Sequence, residues 1–306
     1  MRIVSLISSA TEIVCALGLE DALVGRSHEC DHPASVARLP VCTAPKFAVD
    51  GSSAEIDRLV RDTLRESTSV YHVDGDRLRE LKPDVIITQT QCEVCAVSRR
   101  DVERVLSESF PGNPRVVAQE PNTLADVWQD ILRIAEALDV AIRGRELVEQ
   151  LRGRLEALAV TTATLFHPGI ACLEWLDPPM AAGNWVPELV ASAGGVNLLG
   201  ETGKHSATLS WDTVRGLDPA VLVAMPCGFD LERTRREMTC LDRRPGWCVM
   251  RAVQSGRVYA MDGNQFFNRP GPRLVESAEI LAEILHPDVV NFGHRGGGWL
   301  EYGVAP

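Results

Sequence analysis

The sequence predicts an α/β protein: two Rossmann-like lobes with mainly parallel sheets, joined by one long helix. Three observations predict it. Short continuous apolar runs alternate with amphipathic stretches, one segment recurs at a fixed offset, and a long helical pattern separates its two copies. The apolar runs lie at 3–6, 23–25, 85–88 and 116–118, then at 169–173, 221–224 and 258–260. Unbroken runs, rather than alternating ones, suit strands covered on both faces.

The recurring segment is Asp76-x4-Leu81-Lys82-Pro83-Asp84-Val85-Ile86-Ile87, matched by Asp212-x4-Leu217-Asp218-Pro219-Ala220-Val221-Leu222-Val223 at a constant offset of 136. Each copy reads as a short helix, a proline that cannot continue it, and a buried strand. A second pair, Arg115-Val116-Val117-Ala118 and Arg257-Val258-Tyr259-Ala260, precedes a helical stretch each time. Between the copies, Leu124, Val127, Ile131, Ile134 and Leu138, then Leu147, Leu151, Leu155 and Leu158, recur at helical spacing. They read as one long helix or two abutting ones, with Gly144 and Gly153 as weak points. At 1.5 Å per residue a single rod spans about 50 Å. The expected domains are an N-terminal lobe over 1–122, a linker helix over 123–158, and a C-terminal lobe with its tail over 159–306. Gly296-Gly297-Gly298 in that tail reads as a flexible terminus.

A net charge of −11 over 306 residues argues against a nucleic-acid partner, which needs clustered Lys and Arg. The apolar runs fall short of the roughly 20 residues of a membrane span. Ser8, Ser9, Thr11 and Glu12 interrupt what would be the apolar region of a signal peptide, and no small-x-small cleavage site follows. Nine cysteines, an odd number without a disulfide framework, suit a reducing compartment. The expectation is a cytoplasmic protein, or a periplasmic one whose signal peptide has been removed.

Ligands of open α/β sheets bind beyond the carboxyl ends of the strands, so the loops there hold the candidates. Phe47, Trp175, Trp185, Phe229, Phe266 and Phe267 are six of the sixteen aromatic residues. Placed in such loops they offer rigid area to a flat ligand, or plug the tops of the lobes against solvent. Arg269 and Arg273 flank Pro270-Gly271-Pro272, suited to gripping a carboxamide or phosphate or to forming an inter-loop salt bridge. Cys92-x2-Cys95 follows the 85–88 strand and fits three chemistries: half a zinc site completed by His28 and Cys30, a redox pair, or two small residues at the ligand. His32, His72, His167, His205, His286 and His294 are dispersed and read mostly as surface residues. No nucleophile elbow, P-loop or H-E-x-x-H appears, so no enzyme is expected.

Ile3-Val4-Ser5-Leu6 leading into Thr11-Glu12, then Leu23-Val24-Gly25-Arg26-Ser27, Cys30-Asp31-His32-Pro33, Leu81-Lys82-Pro83-Asp84 and Arg269-x3-Arg273 together give the chain a family likeness. It resembles the bilobed, helix-linked substrate-binding proteins of vitamin B12 and iron-siderophore ABC importers. The Asp31-x-Pro33 and Phe266-Phe267-x-Arg269 loops look more like the cobalamin branch. The resemblance implies a protein without a required cofactor that closes a cleft around cobalamin or a related corrinoid or metal chelate. Its ligand set would be Ser8, His28, Cys30, Asp31, Phe47, Gln91, Cys92, Cys95, Trp175, Trp185, Phe229, Phe266, Phe267 and Arg269. It further implies docking on an ABC permease through an acid on each lobe, here Asp76 and Asp212, where the family carries Glu. The absent export signal and the cysteine-rich loops depart from the family and suggest a cytoplasmic relative handling a corrinoid after import. Two alternatives stand beside it: a metal-ion or haem-type binder using His28, Cys30, Cys92 and Cys95, and a redox enzyme centred on Cys92-x2-Cys95.

Overall fold

The structure is a computed structural model and describes residues 1–67, 69–90, 99–107 and 114–303. The chain forms two compact units. The first comprises Met1–Gly51, Glu55–Pro121 and Ala125–Gln150; the second comprises Ser52–Ala54, Asn122–Leu124 and Leu151–Pro306.

In the first unit β1 (Ile3–Ser5) runs into α1 (Ser8–Ala16), followed by β2 (Leu23–Arg26), β3 (Thr43–Pro45), α2 (Ser53–Glu66, whose first two residues belong to the second unit) and β4 (Tyr71–Val73). Then come α3 (Gly75–Leu81), β5 (Val85–Gln89), α4 (Arg99–Ser107), β6 (Arg115–Gln119), α5 (Leu124–Ala137) and α6 (Ala141–Thr162), whose part from Leu151 on belongs to the second unit. The sheet is parallel in the order β2-β1-β5-β6. Val4, Leu6, Cys42, Leu78, Ile86 and Val102 form a core cluster in this unit. Strands enclosed in this way need no polar face, which is why their sequence is continuously apolar.

The predicted rod is two helices. Val140 N–H donates to the Ala135 carbonyl and Asp139 N–H to that of Glu136, with Asp139 at φ +59°: a Schellman cap that closes α5. α6 then starts against α5. A Cβ on Gly144 would lie 2.4 Å from the Ala135 Cβ, so Gly144 is a packing glycine that lets the two helices approach. The single rod of about 50 Å is therefore corrected to the other reading of this stretch, two abutting helices: α5 and a longer α6, which leads from the first unit into the second.

The second unit contains β7 (Gly169–Leu176), β8 (Pro179–Ala181), α7 (Val186–Ser192), β9 (Val196–Asn197), α8 (Trp211–Gly216) and β10 (Val221–Ala224). It continues with α9 (Leu231–Glu237), α10 (Thr239–Asp242), α11 (Arg251–Gln254), β11 (Val258–Met261), α12 (Leu274–Leu285) and β12 (Trp299–Glu301). Its sheet order is β12-β11-β10-β7-β8, with β9 alongside β7. The central strands β7, β10 and β11 are parallel, and β8 and β12 are antiparallel edges.

The repeat seen in the sequence is a structural repeat. Asp74 caps α3 by accepting from Arg77 N–H, and Ser210 caps α8 by accepting from Thr213 N–H. Lys82 and Asp218, equivalent at the offset of 136, both take positive φ, +45° and +40°, before the proline that ends the turn. β5 and β10 then enter the middle of their sheets.

The expected flexible glycine tail is an ordered element. β12 pairs with β11, and the Trp299 indole donates to Glu283 at 2.7 Å. The backbone N–H groups of Phe292 and His294 donate to the other oxygen of the same carboxylate. Gly298 passes so close to Ile280 that a Cβ there would sit 2.7 Å away. The three glycines follow the path of a docked segment and do not mark its loosening.

Candidate functional site

Each unit presents polar and aromatic side chains where its parallel strands end. In the first unit Ser8 opens α1, is buried, and donates to the Glu29 carbonyl at 2.9 Å. The loop after β2 is tied to β3: His28 N–H donates to Thr43 Oγ1 (3.0 Å), which donates in turn to Ser27 Oγ (3.0 Å). His28 Nδ1 lies 2.7 Å from the same Thr43 oxygen. With the Thr43 proton directed to Ser27, Nδ1 carries the imidazole proton and Nε2 keeps its lone pair. Burial, aided by the Arg26 charge, lowers the His28 pKa to about 4, so the ring is neutral at pH 7. Tyr71 packs on it at 5.2 Å between ring centroids and donates to Glu29 at 2.9 Å. Glu29 and Tyr71 are additions to the expected set. They are 42 residues apart, so only the fold brings them together.

Cys30 is buried and accepts a hydrogen bond from Thr11 at 3.0 Å; Asp31 is exposed and Phe47 half-buried. Gln91, Cys92 and Cys95 lie outside the described residues. Among the described residues no group of three His, Cys, Asp or Glu side chains is placed to hold a metal.

In the second unit Trp175 is half-buried at the end of β7; its indole donates to the Ser53 carbonyl at 3.1 Å and stands 5.1 Å from Phe229. The other aromatic candidates differ from expectation. Trp185, Phe229, Phe266 and Phe267 are 5, 2, 6 and 0% exposed. The Trp185 indole donates to the Phe267 carbonyl at 2.7 Å, and the Arg233 and Arg273 guanidiniums cover Phe229 and Phe266. These four rings brace the loops from beneath, and the expectation that they present flat area to a ligand is corrected. Of the six, Phe47 and Trp175 are the two left half-buried.

Arg269 is buried and donates to Asn264 Oδ1 at 3.1 Å, while Arg273 binds Glu276 and Gln265. Asp262 anchors this loop by accepting from Gln265 N–H at 2.7 Å, and burial raises its pKa. Two histidines expected at the surface are structural: His286 is buried against the Ala193 carbonyl, and His294 pairs with Glu279. Asp76 and Asp212 stand in the first turns of α3 and α8, with side chains 91 and 80% exposed and paired to Arg79 and Arg215.

Among curated proteins, the chain is 23% identical over 293 residues to an uncharacterised ABC transporter substrate-binding lipoprotein of Bacillus subtilis, covering 94% of this chain and 80% of that one. It is 22% identical over 291 residues to the vitamin B12-binding protein of Vibrio cholerae, covering 93% and 88%. Among solved structures, a periplasmic heme binding protein from Pseudomonas aeruginosa superposes with a TM-score of 0.73 at 19% identity, covering 100% of this chain and 99% of that one. The Vibrio cholerae periplasmic vitamin B12 binding protein superposes at 0.65 with 21% identity, covering 93% and 96%. At such identities the superpositions establish the fold.

These relatives correct the expected cytoplasmic location. They are periplasmic proteins and a lipoprotein, which points outside the cytoplasm. Four of the cysteines that suggested a reducing compartment have another account. Burial pushes the thiols of Cys15, Cys172 and Cys240 up to about 12 and that of Cys42 up to about 11, so they resist forming the thiolate that oxidation requires. The relatives are binding proteins and not enzymes, so the redox-enzyme alternative is set aside. Among the described residues no helix is long and apolar enough to cross a membrane. Matched by the family model over residues 3–264, the chain belongs to the periplasmic binding protein family, the substrate-binding components of ABC transporters.

Proposed function

We propose that this protein captures cobalamin or a related corrinoid and delivers it to an ABC permease. The observation that carries the proposal is the match to vitamin B12-binding proteins along 93% of the chain. Three local features support it. Trp175 offers a partly open indole face backed by Phe229. His28, neutral with its Nε2 lone pair available, suits the axial position of a chelated metal. Asp31, Gln91 and Arg269 are of the residue types that hydrogen-bond peripheral amides. A corrin buries several hundred Å² of largely apolar surface, and about 25 cal/mol per Å² leaves a surplus over the entropic cost of association. Asp76 and Asp212, exposed at equivalent helix starts, are the permease-docking acids in this proposal.

Calorimetric titration with cyanocobalamin, with haemin as the competing ligand class, tests the proposal. Saturable cyanocobalamin binding at micromolar concentration or tighter is expected. Saturable haemin binding with no corrinoid binding replaces the ligand class.

A further inference from the structure

Glu174 sits at the carboxyl end of β7, where the pairing with β8 slips: Leu173 faces Ala181 and Trp175 faces Met180, with a bulge between. A bulge re-aims the side chains around it. In regular alternation one of two neighbours points into the core, yet Glu174 and Trp175 both keep open surface while Leu173 and Leu176 are fully buried. One carboxyl oxygen of Glu174 is fixed. Ser206 Oγ donates to Oε2 at 2.6 Å, and the Gly183 N–H holds that serine by donating to it at 3.2 Å. Gly183 itself is irreplaceable here, since a Cβ would meet the Lys204 carbonyl at 2.3 Å. The other oxygen, Oε1, accepts no hydrogen bond among the described residues and is not among the fully enclosed unpartnered atoms. No described cation pairs with the carboxylate.

We propose that Glu174 is a specificity-determining residue, its open oxygen binding a carboxamide arm of the ligand and disfavouring chelates whose arms are carboxylates. The inference rests on the function proposed above and deepens it. An ionised Glu174 accepts from an amide N–H; a protonated one accepts from the N–H and donates to the amide carbonyl. An amide arm is thus satisfied in either protonation state. A carboxylate arm meets a like charge whenever Glu174 is ionised and fits only when the two acids share a proton. Desolvation raises the Glu174 pKa against the lowering pull of Ser206, and no charged neighbour adds to it. Discrimination therefore grows as pH rises through that raised value.

The test compares two corrins with one ring and different arms: dicyanocobinamide, with amides, and dicyanocobyrinic acid, with carboxylates. Their dissociation constants are measured at pH 5.5 and pH 8 for the wild type, Glu174→Gln and Ser206→Ala. At pH 8 the wild-type preference for the amide corrin is expected to fall about tenfold in Glu174→Gln, the size of a one-unit pKa coupling. The glutamine still accepts from Ser206, so retained binding of the amide corrin reports its folding. Ser206→Ala keeps the carboxyl and removes the bond that lowers its pKa. It is expected to retain the preference and move its onset to higher pH, a shift that loop packing alone does not produce. An amide-to-carboxylate ratio equal in wild type and Glu174→Gln at both pH values overturns this inference and leaves the corrinoid proposal standing. Failure of the wild type to bind either corrin overturns the corrinoid proposal, and this inference with it.

Discussion

Glu283 is the anchor of the C-terminal segment, and Glu283→Ala tests that directly. Its carboxylate is 4% exposed and takes three donors from the tail: the Trp299 indole and the backbone N–H groups of Phe292 and His294. Truncation strands all three. A buried donor left without a partner costs about 1–3 kcal/mol. The Trp299 nitrogen lies in a side chain only 7% exposed, whereas Phe292 is half exposed and its backbone can find water. The sum is roughly 3 kcal/mol against docking of 291–303, or about a 100-fold rise in the population of the released tail. Tryptic cleavage after Arg295 reads that population, because a protease needs several residues of free backbone. Cleavage is expected to accelerate about 100-fold in Glu283→Ala and by a smaller factor in Glu283→Gln, which keeps one acceptor oxygen. Cleavage at the wild-type rate in Glu283→Ala refutes the assignment of Glu283 as the anchor.

Gly144→Val places methyl groups inside the α5–α6 contact and is expected to destabilise the first unit by about 1–3 kcal/mol, read as a lower urea midpoint at unchanged slope. Asp130 is 2% exposed, and burial, opposed by the Glu120 N–H and Arg133, raises its pKa to about 6. A carboxyl with a raised folded pKa favours the fold while protonated, so its contribution is lost as pH rises from about 4 to about 6. Urea midpoints measured across that window are expected to fall less steeply in Asp130→Asn than in the wild type. Glu279 goes the other way. Burial opposes its ionisation, but hydrogen bonds from His294 and Arg154 hold its pKa below the ordinary value, so its contribution is present at neutral pH and lost in acid below about pH 4. Tail protection against a protease active in acid is expected to weaken there and to be less pH-sensitive in Glu279→Gln. Trp175→Ala removes the open aromatic face and is expected to weaken cyanocobalamin binding by about 2 kcal/mol, roughly 30-fold, by calorimetry.

The central strands were legible because burial on both faces leaves an unbroken apolar run, and the repeat was legible because Pro83 and Pro219 punctuate it identically. The strands missed, β3, β4, β8, β9 and β12, are two or three residues long and depend on pairing partners. β3 contains Pro45 and β8 contains Pro179, residues that argue against a strand except at an edge. The break between α5 and α6 had no glycine or proline to announce it, since Asp139 fills the left-handed position that glycine usually takes. In the candidate site, sequence located the strand-end loops but not the direction of their side chains. Nothing in the spacing of Trp175 and Trp185 distinguishes the indole left half open from the one turned inward to the Phe267 carbonyl. Glu174 lay within a loop read as functional, but a single acid there carries no signal until the bulge and Ser206 are seen.

Hydrogen–deuterium exchange with and without saturating cyanocobalamin tests the central claim most directly. Slowed exchange is expected in the first unit over 27–33 and in the second over 263–272, the segments that follow β2 and β11, and over 174–185, which runs from the end of β7 through β8 to the start of α7. Protection absent from all of these segments, or falling instead on the helices that carry Asp76 and Asp212, contradicts ligand binding at the strand-end loops.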